Sequence, residues 1–171
     1  MSKIRKIFTS IILIFALAAF WWFAPFTIKD PANPLYNPSS FSFRFIMSRE
    51  KAVDTFSKLF PPGTDKAFVD QVLIEEGGAK VFGGYNEKYG YKNTDVRFFI
   101  YTEPWIYAFK TMIQPPSHTF MFTSNGHLVN AHAQMTSTVF RDMPSYDEAE
   151  GMTIEKLEKI INDWKVSHGN P

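Results

Sequence analysis

The dipeptide Asn125-Gly126, set between stretches 118–124 and 127–139, constrains the fold of this 171-residue chain more than any other feature. Asn and Gly accept positive φ at both central positions of a two-residue turn, whose twist matches that of a β-hairpin. With that turn, the pleat pairs Phe122 with Val129, Phe120 with Ala131 and His118 with Ala133 on one face. The other face pairs Thr123 with Leu128, Met121 with Asn130 and Thr119 with His132. The first face is apolar and belongs against a core; the second is mixed and reads as partly buried.

Two further aromatic stretches, 96–101 and 105–112, are rich in strand formers and separated by Pro104. Helices are expected around them. Ser48 is placed to cap a helix whose face is Val53, Phe56, Leu59 and Phe60, stopped by Pro61-Pro62. Gly63 turns the chain, and Thr64 is expected to cap a second helix with Asp65 in its first turn and an apolar face of Phe68, Val69, Val72 and Leu73. Gly77 reads as its left-handed stop. A third helix carries Ile154, Leu157, Ile161 and Trp164 on one stripe with a Glu155–Lys159 pair, and docks on the sheet or on a partner. The expectation is an α+β fold: a helical hairpin packed on a small antiparallel sheet, with a C-terminal helix, preceded by one N-terminal transmembrane helix.

That last element rests on Lys3, Arg5 and Lys6, followed by an uncharged run from 7 to 26 of Ile, Leu, Phe, Ala and Trp. At about 1.5 Å per helical residue, such a run reaches roughly 30 Å, the thickness of a hydrocarbon layer. Trp21 and Trp22 fall where amphipathic rings sit at the membrane interface, and Pro25 helps end the helix. The cations place the N-terminus in the cytoplasm and the remainder outside, periplasmic or extracellular, on the inner (cytoplasmic) membrane. Cleavage of a signal peptide after Ala18 is the competing reading, from Ala16-Leu17-Ala18. Residues 1–28 thus form the anchor, 29–42 a proline-rich linker and 43–171 a single exported domain. Lys and Arg together number 18 against 17 Asp and Glu, and three of the cations go with the anchor. The remainder is near neutral, without the basic field of a nucleic-acid binder.

Three stretches resemble the SmpA/OmlA (BamE-like) family: Pro62-Gly63-Thr64 with Val69, Val72, Leu73 and Gly77; Trp105-Ile106-Tyr107; and Phe120-Met121-Phe122 with Asn125-Gly126-His127-Leu128-Val129. The resemblance implies two helices on an antiparallel sheet and a role in cell-envelope assembly. The chain departs from that family in lacking a cysteine to carry a lipid and in an insertion from 80 to 93.

Zero cysteines exclude thiol nucleophiles, zinc-thiolate sites and disulfides. His118 and His132 fall on opposite faces of the hairpin, His127 lies beside its turn and His168 in the tail, so no shared metal site forms. Asp142, Asp147, Glu148 and Glu150 read as a solvated acidic loop, matching no EF-hand. Gly77, Gly78, Gly83 and Gly84 read as turns, since no phosphate-loop ending is present. Neither a nucleophile elbow nor any cofactor motif occurs. No catalytic residue and no cofactor is assigned. Tyr85, Tyr89 and Tyr91 stand in a polar, glycine-containing stretch and are a candidate recognition loop, or rings folded back over the sheet. The expected role is a non-catalytic, membrane-anchored binding or scaffolding module with a protein partner in the envelope. The alternatives are a periplasmic ligand or glycan sensor with an aromatic pocket, and a hydrolase with an unrecognised site.

Overall fold

The computed structural model of the chain describes residues 3–23, 41–83, 95–110, 114–134, 136–149 and 151–169. Within them an antiparallel meander runs β1 (Lys80–Gly83), β2 (Val96–Thr102), β3 (Ser117–Thr123), β4 (Leu128–Ala133) and β5 (Ser137–Thr138), in that spatial order. The helices are α1 (Lys3–Phe23), α2 (Arg49–Leu59), α3 (Lys66–Asp70), α4 (Tyr146–Ala149) and α5 (Ile154–Ser167). The chain is α+β.

The hairpin register follows the alternation at Thr119–His132, Phe120–Ala131 and Met121–Asn130. It then slips, so that Phe122 faces Leu128 rather than Val129. The turn explains the slip. Gly126 alone takes positive φ (+91°), and its amide donates to Thr123 O while Thr123 N donates to His127 O. This is the three-residue loop with a glycine bulge, not the two-residue turn expected.

Ser48 caps α2 by accepting from Lys51 N at 3.2 Å. Thr64 does not cap α3. Its hydroxyl donates to Pro61 O, and Asp65 occupies the cap position. α3 widens into a π-helical segment, Gln71–Glu76, that keeps Val72 and Leu73 in the core. Gly77 is right-handed (φ −83°), and the left-handed residue is Gly78 (φ +73°). Gly77 is needed for space instead: a Cβ there would stand 2.7 Å from Phe43 Cε2 and from Leu73 O.

The stretch from Trp105 to Lys110 is a 3-10 helix, not a strand. Pro104 supplies no amide to a ladder, and Tyr107 N closes a turn onto its carbonyl at 2.9 Å. A strand comes instead from Lys80–Gly83, at the sheet's edge. Phe41 is buried in the core.

Both faces of the sheet are covered, the second more fully than expected. On one, Phe120 lies 5.4 Å from Phe56, 5.8 Å from Phe60 and 5.2 Å from Tyr101, ring to ring in edge contacts. On the other, Met121, Thr123 and Asn130 are buried beneath α4, α5 and the chain between β5 and α4. The acidic stretch there is partly ordered as α4, where Glu148 accepts from Ser145 N at 2.7 Å and Glu148 N donates back to Ser145 Oγ. α5 runs beyond its expected end, and His168 caps it, stacked on Trp164 at 4.3 Å.

The side chains of α1 are described from 8 to 18, and every one is exposed, Phe8, Ile11, Ile12, Leu13, Ile14, Phe15 and Leu17 included. Among the described residues no helix is long and apolar enough to cross a membrane.

Candidate interaction surfaces

The residues singled out in the sequence divide sharply. Tyr85, Tyr89 and Tyr91 lie outside the described residues. Trp21 and Trp22 fall in the last turn of α1, with side chains outside the described ones. The four histidines are placed, and each has a partner.

His118 is wholly buried, edge-on to Phe56 at 4.8 Å. Gln134 N donates to its Nδ1 at 3.2 Å, which leaves Nε2 to donate to Glu103 Oε1 at 3.0 Å. An imidazole oriented by a carboxylate is the geometry of a general base, but this pair is sealed from solvent and no substrate reaches it. It fixes the end of β2 against β3. His132 stacks on Tyr146 at 4.1 Å on the opposite face, and burial lowers its pKa.

His127 is a junction. Its Nδ1 lies 2.7 Å from Glu158 Oε1 on α5, and its Nε2 lies 3.5 Å from Asp65 Oδ1 at the start of α3. Backbone bonds reinforce it: Gly63 N donates to Leu128 O, Leu128 N to Thr64 O and Lys66 N to Gly126 O. The two carboxylates sit at opposite ends of the ring and do not converge on one point. Among the described residues no group of three or more His, Asp or Glu side chains is arranged to hold a metal ion.

Two surfaces remain available to a partner. The first is apolar: Phe82 on β1 is 55% exposed, and Trp105 and Ile106, just past β2, are 68% and 63% exposed. Lone exposed hydrophobics are ordinary; here they coincide with an edge strand that pairs only with β2 among the described residues. The second is mixed in character: a cleft of about 800 Å³ between α2 and β5, lined by residues that include Arg49, Val53, Ser57, Thr138, Val139 and Arg141. Composition and spacing did not single it out, because Arg49 and Arg141 are far apart in the chain and meet only through the sheet. The rings that could wall an aromatic pocket, Phe41, Phe43, Phe56, Phe60, Phe120 and Phe122, are instead packed on one another in the core.

No protein-family model matches this chain, and no match is found among curated proteins or solved structures.

Proposed function

We propose that the chain is a membrane-anchored, non-catalytic binding or scaffolding module of the cell envelope, with the apolar run 7–26, of which α1 covers residues 7–23, held in the inner membrane, its N-terminus cytoplasmic and its folded domain outside. The observation that carries this reading is α1: its described side chains are apolar around most of the helix and exposed on every side. A helix of that kind is satisfied only by another apolar phase. Lys3, Arg5 and Lys6 at its start favour the inward orientation. Anchoring confines the domain to a plane and raises the effective concentration of any partner held in the same membrane.

The contact with a protein partner is assigned to the edge of β1, whose outer side pairs with no strand among the described residues, together with the exposed Trp105 and Ile106. The likeness to the SmpA/OmlA family belongs to this proposal. Its first and third stretches lie on the helix pair and the hairpin, whereas Trp105-Ile106-Tyr107 lies in a 3-10 helix.

The test is fractionation of the full-length chain with alkaline extraction, combined with photo-crosslinking from Phe82 and Trp105. The expected result is retention in the membrane pellet, protease access to the domain from outside, and one discrete crosslinked protein. Release of intact chain into the soluble fraction would remove the anchor. Crosslinks no different from those made from Glu155, on the exposed face of α5, would remove the partner surface.

A further inference from the structure

We infer that the cleft between α2 and β5 binds an extended acidic segment of a protein, which joins the sheet at β5 and is held at its carboxylates by Arg49 and Arg141. The inference is independent of the anchor and of the β1 edge. β5 is the last strand of the sheet, so its outer side pairs with no strand among the described residues. Val139 N donates inward to Ala131 O, and in an antiparallel ladder the bonded pairs alternate. Thr138, between the bonded positions 137 and 139, therefore turns its amide and carbonyl outward, into the cleft. A strand edge beside a helix, with a groove between them, is the geometry by which folded domains accept an extended peptide as an added strand.

Charge selects the ligand. The cleft holds two carboxylates and two guanidinium groups, but they are not equally available. Asp54 is engaged by Lys58 at 2.9 Å and faced by Lys51 at 3.9 Å. Glu50 is turned to the start of α2, where its own backbone amide, then the Ser48 hydroxyl and more weakly the Arg49 charge hold its carboxyl below the usual carboxylate range. Arg49 and Arg141 are exposed; Arg49 lies in the field of Glu50, and neither guanidinium is held in a salt bridge of the kind that engages Asp54. What the cleft offers a ligand is thus two exposed guanidinium forks suited to carboxylates, the hydroxyl of Ser137 and the stem of Val53, while the Ser57 hydroxyl donates to Asp54 O and that of Thr138 is paired with His132 Nε2. A basic peptide would be repelled most by Arg141, the guanidinium with no carboxylate shown acting on it among the described residues.

The test uses the full-length chain in detergent and a fluorescent hexapeptide of alternating glutamate and valine. Saturable binding is expected, weakened about tenfold in R49E/R141E and by added salt. The double variant is expected to take up the lysine-valine counterpart instead, which shows that it remains folded. N-methylation of the peptide amide that faces Thr138 is expected to abolish binding. Failure of the glutamate-valine peptide to bind, equal binding of the lysine-valine peptide to the natural chain, or an unchanged affinity in R49E/R141E would each overturn the inference. Full competition by inorganic phosphate or free glutamate at matched ionic strength would also overturn it, reducing the cleft to an anion site.

Discussion

The two faces of the sheet are built on different principles. Toward α2 and α3 the cover is aromatic: Phe56, Phe60 and Tyr101 each meet Phe120 edge to face, Phe122 stacks on Phe120, and the fully buried polar atoms that the strands bring there come from Tyr101, bonded to Asp70, and His118. Toward α4 and α5 the cover is a hydrogen-bonded lattice. Asn130, fully buried, donates to the carbonyls of Phe140, Met143 and Pro144, and its own oxygen accepts from Phe140 N. Tyr146 donates to Thr119 O, and Thr123 to Glu158. An aromatic face tolerates small changes of shape if volume is kept. A polar lattice tolerates no loss of a partner, because each orphaned buried group keeps its desolvation cost.

This contrast can be broken by substitution. Phe120→Ala, in the middle of the aromatic face, is expected to cost about 3–5 kcal/mol, and Phe120→Leu to recover most of it, read from denaturant unfolding of the full-length chain. Asn130→Ala is expected to cost about 2–4 kcal/mol, with no recovery in Asn130→Leu, since the stranded carbonyls need donors and not volume. If leucine rescued both positions equally, the distinction between the faces would be lost. His127→Gln is expected to cost about 1 kcal/mol or less, because the junction it makes is partly in water; amide exchange should quicken at the start of α5 and around Gly63 while β2 is unaffected.

The smallest effect concerns pH. Burial against Tyr146 lowers the pKa of His132 from its ordinary 6.5. Below that value the unfolded chain takes up a proton that the folded chain resists, so stability falls as pH drops through 6.5 toward the lowered value, and no further below it. His132→Gln should flatten that part of the stability profile, and an unchanged slope would place the proton elsewhere.

The hairpin was legible because two independent signals agreed: turn chemistry and alternation predict the same partners from Thr119 to Met121. Beyond Met121 they part, since Gly126 alone takes the left-handed conformation and the ladder absorbs an extra residue. Trp105 to Lys110 was misread because aromatic residues favour strands only where a ladder is offered, and Pro104 ends this one. β1 was invisible, as four residues ending in glycine carry no period long enough to recognise. The cleft was equally hidden. Neither Arg49 nor Arg141 has a local pattern, and their proximity is a product of the meander.

The junction at His127 binds residue 65, residue 127 and residue 158 into one knot at the turn end of the hairpin. Glu158 thus lets α5 act as a clasp that ties the polar cover of the sheet to the turn end of the hairpin and, through His127, to the start of α3.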